Sequence, residues 1–178
     1  DTSVSRGLGD VYKRQFHPNR RIEGVVGFVL HSILLVPYYS WAHSHAVHHA
    51  HCNHLEQGET HVPPRATSPM GRTTEQLKQR LNPTVFGIIS LFNHLVIGWQ
   101  LYLFLGATGG EDYDSPTSHF WNRKRNFNGK RRLFPHSFGK WMLRSNLGLL
   151  AMVAFLIIAS VQFSLLRVLC VYGLPYLV

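Results

Sequence analysis

Residues 147–178 are apolar almost throughout, interrupted only by a few polar side chains such as Gln162, Ser164 and Arg167. A small soluble domain has no use for a run of that length. Two shorter runs accompany it: residues 84–106, TVFGIISLFNHLVIGWQLYLFLG, and residues 24–41, GVVGFVLHSILLVPYYSW. A helix of about 20 apolar residues matches the hydrocarbon thickness of a bilayer, and only a helix or a closed barrel satisfies its backbone there. The expected fold class is therefore an all-α membrane protein, with helical transmembrane and interfacial segments joined by polar loops. Composition agrees: only 15% of residues are charged, against about 25% in soluble domains.

The three runs differ in what they can span. Residues 147–178 exceed one crossing, so the expectation is a span over 147–161, a polar turn near Gln162 to Arg167, and a second span from 166 onward. In residues 84–106, Ser90, Asn93, His94 and Gln100 fall on about a third of the circumference at 3.6 residues per turn. That amphipathic pattern suits a helix lying along the interface or against protein. Pro37 interrupts residues 24–41. His31 and His94, set in apolar runs, are expected to be buried and hydrogen-bonded; His119 and His136, in a basic loop, are expected to be exposed.

The net charge of +9 is segregated. Residues 107–146 hold eight Lys and Arg against three Asp and Glu, whereas residues 42–83 hold four against three. Basic charge beside apolar runs indicates membrane lipid and no nucleic acid as partner, and marks residues 107–146 as a cytosolic loop. Cys52 and Cys170 are far apart, so no disulfide framework is expected, and Cys52 is read as a small packing residue. Residues 1–15, DTSVSRGLGDVYKRQ, contain no apolar core of a signal peptide and are set aside as a non-native or disordered leader. The abrupt apolar ending LCVYGLPYLV adds to the impression of a fragment.

Between the first two runs lies SWAHSHAVHHAHCNHLEQGETHVP, with seven of the chain's 12 histidines. His45, His48 and His49 form H-x-x-H-H, and positions i, i+3 and i+4 share one face of a helix. Imidazoles so placed repel when protonated, and metal binding takes the neutral form. An all-nitrogen donor set suits iron, zinc or copper. Three donors do not complete a redox site, so His54 and His61 are further candidates, as ligands or as outlying partners. Glu56 and Glu59 either hold imidazole N–H groups in place or are simply solvated. No nucleophile elbow, phosphate loop or H-E-x-x-H motif offers a different chemistry, and no catalytic residue beyond the metal ligands is indicated.

These residues resemble a known family. HSILLVPYYSWAHSHAVHH followed by NHLEQGETHVP is similar to the second histidine-box region of membrane fatty-acid desaturases, in particular the delta-12 (omega-6, oleate) type. IGWQLYLFLGATGG, SHFWN and LRVLCVYGLPYLV resemble later family segments in the same order, so the likeness covers residues 16–178 as a partial desaturase domain. It implies an oxygen-dependent acyl-lipid desaturase that inserts a cis double bond at a non-haem centre of two iron ions, with cytochrome b5 as electron donor and an acyl lipid and O2 as substrates. It also implies residence in the endoplasmic reticulum membrane with the histidine box facing the cytosol. By the same likeness His45, His48 and His49 would be iron ligands. The family's first and third boxes are not in this sequence, which is therefore expected to be inactive by itself. Tyr38, Tyr39 and Trp41 are candidates for lining the substrate tunnel, or alternatively aromatic residues of the membrane interface. A cytosolic box and a cytosolic basic loop require residues 84–106 and 24–41 to be interfacial, leaving two true spans. The alternatives are an omega-3 desaturase, hydroxylase, acetylenase or conjugase of the same family, or a non-enzymatic zinc-binding membrane protein.

Overall fold

A computed structural model describes residues 18–59, 62–106, 110, 112–114, 116–122 and 129–176; the leader lies outside them. Among the described residues the fold is helical without strands, apart from one parallel bridge between Tyr113 and Arg131. Helix α1, Arg20–Ile33, starts where the Asn19 side chain accepts the Arg21 N–H at 2.9 Å. It ends in a turn through Leu35, at φ 51°, and Pro37, which forces the residue before it out of the helical region. Helix α2, Tyr38–Ala50, leaves that turn bent 107° from α1. An elbow of this kind is not a straight crossing.

Helix α3, Pro69–Arg80, is polar and capped by Ser68. Helix α4, Pro83–Phe92, is capped by Asn82 and runs through a π-helical segment, Asn93–Gly98, into α5, Trp99–Leu105. The whole rod Pro83–Leu105 has 23 residues and contains an 18-residue stretch of mean hydropathy 1.6. The π segment holds an extra residue per turn, so the face computed at 3.6 residues per turn does not carry through from Ser90 to Gln100. His94 is exposed, contrary to expectation, because the buried part of this rod is its far end, Tyr102 and Leu103.

Helix α6, Gly139–Phe163, is longer than the expected span: it reaches back into the basic loop, where Lys140 and Arg144 lie over the Trp141 ring at 5.7 and 4.6 Å. Basic and aromatic side chains there suit the lipid headgroup level. Ser164, at φ 77° and ψ 144°, breaks the chain within the expected polar turn. Helix α7, Leu165–Val168, and short π and 3-10 segments follow, and the Tyr172 hydroxyl donates to the Ile33 carbonyl of α1. By length and composition, Pro83–Leu105 and His136–Phe163 are each able to cross a membrane. Large apolar side chains lie exposed along these helices, such as Ile158, Val161 and Leu166, and lipid is the solvent that suits them.

Helix α6 packs across both arms of the elbow. Ser145 Oγ accepts the Tyr39 N–H at 3.0 Å, and Gly148 abuts α1 so closely that a Cβ there would lie 2.3 Å from Ser32 Oγ and 2.6 Å from the Phe28 ring. Gly148→Val is therefore expected to destabilise the fold by about 1–3 kcal/mol through overpacking. Chemical denaturation in micelles measures this, and an unchanged midpoint would show that α1 and α6 do not meet at this point. Tyr113, Leu133, Phe134 and Met142 form a small core, with Val47 of α2 packed against it.

Candidate metal centre and the polar chain behind it

Helix α2 carries the box on a side that its packing leaves partly open: Ser40 and Ser44 are fully buried, whereas His45 and His48 are half-buried and His49 is exposed. One helical turn brings His45 and His49 together, with ring centroids 4.4 Å apart and Nε2 atoms 3.0 Å apart. His48 stands 5.6 Å from His49 and 6.2 Å from His45, centroid to centroid. Two ligands about 2.1 Å from one ion and at right angles to each other are about 3.0 Å apart, so the His45–His49 pair fits a shared metal. Among the described residues no three His, Cys, Asp or Glu groups converge to hold an ion by themselves. The box is thus a close imidazole pair with a third imidazole beside it.

The other candidates are placed differently. His54 Nδ1 accepts the N–H groups of Glu56 and Gln57 at 3.3 and 3.1 Å. A neutral imidazole that accepts at Nδ1 carries its proton on Nε2, which leaves no lone pair there for a metal. His51 is the reverse case: Nδ1 donates to the Val47 carbonyl at 3.0 Å, so Nε2 keeps its lone pair. His48, His51 and His54 line one cavity of about 320 Å³. His61 lies outside the described residues. Glu56 is exposed and pairs with Arg65 at 3.0 Å, a contact of little energetic weight. Cys52 is exposed rather than packed, its thiol donating to the His48 carbonyl at 3.3 Å.

Tyr38, Tyr39 and Trp41 form an aromatic run beside the box. Trp41 stacks on His45 with centroids 4.5 Å apart and planes 15° apart, His31 lies 4.7 Å from Trp41 and 5.1 Å from Tyr38, and Tyr39 meets Trp141 of α6 at 5.0 Å. His31 Nδ1 donates to the Gly27 carbonyl at 2.8 Å, so it is hydrogen-bonded as expected but half-buried rather than buried.

The buried face of α2 meets a second feature. Ser44 Oγ lies 2.8 Å from the Tyr102 hydroxyl and 3.0 Å from His119 Nε2. Tyr102 donates to Glu59 Oε2 at 3.1 Å, and His119 Nδ1 lies 3.3 Å from the Leu103 carbonyl, to which it donates. Glu59, Tyr102, Ser44 and His119 thus form one hydrogen-bonded chain drawn from four parts of the sequence, each member at most 6% exposed. Burial pushes the Glu59 carboxyl up to about 7, against the pull of the Tyr102 hydrogen bond. Burial takes the His119 imidazole down to about 4, against the Leu103 hydrogen bond and with a small contribution from His43. Both ends therefore favour the uncharged form. Backbone bonds reinforce the assembly: Gly110 N–H donates to Gly58 at 2.7 Å, where a Cβ on residue 110 would lie 2.3 Å from the Glu56 carbonyl, and His119 N–H donates to Leu103 at 2.8 Å.

Comparison with known proteins decides the family. The fatty acid desaturase family model matches residues 10–178. The chain belongs to that family. It is 34% identical over 176 residues to the Delta(12) fatty acid desaturase of Mortierella isabellina, covering 92% of this chain and 42% of that protein. It is 32% identical to the Delta(12) acyl-lipid conjugase of Impatiens balsamina, over 88% of this chain and 38% of that one. It is 29% identical to the oleate hydroxylase of Claviceps purpurea, over 91% and 36%. The chain thus spans about two fifths of the length of these curated relatives. No solved structure matches it.

In this desaturase chain His119 is the clearest departure from expectation: it is fully buried, not exposed in a basic loop, whereas His136 is exposed as expected. Loop 116–119 is pulled under α2 by the Thr117 and His119 N–H bonds to Leu105 and Leu103. Loop charge reports on side of the membrane and says nothing about burial. Ser44 and Tyr102 drew no attention as sequence. Their signal was the pair of small polar residues Ser40 and Ser44, one helical turn apart, which marks close packing.

Proposed function

We propose that this chain is part of an oxygen-dependent acyl-lipid desaturase of delta-12 type, which converts oleate to linoleate at a di-iron centre. The observation that carries the reading is the His45–His49 pair, 3.0 Å between Nε2 atoms, with His48 beside it on one helix of a desaturase-family chain. His45, His48 and His49 would hold iron. Bound iron, supplied with electrons, furnishes the oxygen activation that breaking an unactivated C–H bond requires. The chain's own residues do the rest of the local work. The three imidazoles must be neutral to bind, so metal competes with protons for the same nitrogens. Trp41 covers one face of His45 and keeps water from it, and Tyr38 and Tyr39 extend that apolar wall toward α6. Three imidazoles on one helix do not make a two-metal site, so this chain alone is inactive.

A cytosolic site reached by cytochrome b5 from the endoplasmic reticulum surface requires residues 42–63 and 107–146 on one side. The bonds from Gly110 to Gly58, Asp112 to Glu56 and His119 to Ser44 support that placement. They join the segments before and after Pro83–Leu105, and the polar α3 offers no way back across a bilayer. The rod is accordingly interfacial despite its length, and the α1–α2 elbow dips in and returns.

The test is fatty-acid profiling of yeast that expresses the full-length protein. New linoleate is expected, and none from this chain alone. A hydroxylated or conjugated C18 product moves the assignment to the branch of the oleate hydroxylase or conjugase relatives, and no new fatty acid overturns it. A glycosylation acceptor inserted between Gly129 and Pro135 is expected to stay unmodified; its modification would place this loop in the lumen.

A further inference from the structure

We propose that Ser44, Tyr102, Glu59 and His119 are positioning residues that set the roll of helix α2 and so aim its histidines at the metal. This rests on the metal-binding reading above. Ser44 is the residue before His45 and lies one turn before His48, so whatever holds Ser44 holds the box. The apolar contacts of α2 are non-directional and leave rotation about the helix axis loosely defined. Hydrogen bonds have preferred angles and define it. Ser44 Oγ stands at the centre of such polar contacts, with one hydrogen of its own to donate: it lies 2.8 Å from the Tyr102 hydroxyl, 3.0 Å from His119 Nε2 and 3.0 Å from the Trp41 carbonyl within its own helix. His43 adds one on its flank, donating from Nε2 to the Leu133 carbonyl at 2.9 Å.

The geometry makes the requirement strict. A ring nitrogen roughly 6 Å from the helix axis moves about 1 Å when the helix rolls by about 10°, while metal sites tolerate about 0.2 Å. A chain of bonds from α2 to α5, to the Glu56–Glu59 loop and to the Ser118–Phe120 loop removes that freedom in three directions at once. All four members are buried, so leaving any one unpaired is unfavourable and the chain acts as a unit. None of the four is a metal ligand in this arrangement; they act through α2.

The experiment compares iron content and cobalt(II) absorption spectra of the full-length protein with those of Tyr102→Phe, Ser44→Ala, His119→Leu and His119→Gln. Melting midpoints are recorded alongside. Tyr102→Phe removes one hydroxyl and keeps the ring, and is expected to lower metal affinity about 10- to 100-fold, the range seen when partners of ligands are removed. It should also change the cobalt spectrum while the protein still melts cooperatively. His119→Leu should do the same. His119→Gln, whose amide reaches the Nε2 position, should recover affinity to within a few-fold. Parental affinity and spectrum in Tyr102→Phe and His119→Leu, with a wild type that loads iron, would overturn this inference alone. Loss of metal in His119→Gln equal to that in His119→Leu would also overturn it. A wild type that binds no metal would overturn both this inference and the proposed function.

Discussion

His45→Ala in the full-length protein is expected to abolish new double bonds, with a loss of at least about 10³-fold, or about 4 kcal/mol of barrier. Iron content should fall with it. His45 is one half of the 3.0 Å nitrogen pair, and its ring is also the one that Trp41 covers. Removing it leaves His49 as a single donor with no chelate partner on its turn. His43 provides the control, because it sits two residues away on the same helix but bonds to the Leu133 carbonyl. His43→Gln keeps a donor for that carbonyl and should retain iron and most activity. Elemental analysis and product profiling on the same preparations distinguish the two variants. Full iron content in His45→Ala would remove this residue from the ligand set.

The second large effect is a pH dependence that is hidden in the parent protein. Glu59 has a folded value of about 7 against 4.5 when free, so between those values the unfolded chain loses a proton that the folded chain keeps, and stability falls as pH rises. His119 has about 4 against 6.5, so the unfolded chain gains a proton that the folded chain refuses, and stability falls as pH drops from 6.5 toward 4. Between pH 4.5 and 6.5 the two slopes, each about 1.4 kcal/mol per pH unit, oppose and cancel. Glu59→Gln removes only the first. Relative to the parent, this variant should gain roughly 3 kcal/mol of stability from pH 4.5 to 6.5. His119→Gln should move the opposite way by a similar amount. Denaturation midpoints in micelles at the two pH values measure both, and parallel curves for the parent and Glu59→Gln would show that this carboxyl is not buried as described.

Much of the fold was legible from local pattern. The apolar lengths announced a helical membrane protein, Pro37 marked an interruption where the elbow stands, and the polar interruption near Ser164 announced the break after α6. H-x-x-H-H announced which imidazoles share a face, because helical spacing alone decides that. The errors have a common cause. His94 was expected to be buried and is exposed, while His119 was expected to be exposed and is buried. In each case local hydropathy stood in for burial, and burial depends on what packs from elsewhere. The π segment at Asn93–Gly98 broke the periodic reading of the middle rod for a related reason: periodicity presupposes one helical geometry throughout.

The sequence by itself determined the class of chain and the three imidazoles that share one face of one helix, since these follow from composition and spacing; its likeness to known proteins decided the family. Only the tertiary structure decided what stands behind that helix. Glu59, Ser44, Tyr102 and His119 come from positions up to 75 residues apart, counted from Ser44 to His119, and no spacing rule connects them. Folding brings them together because buried polar groups must find partners, and the available partners lie across the fold rather than along the chain.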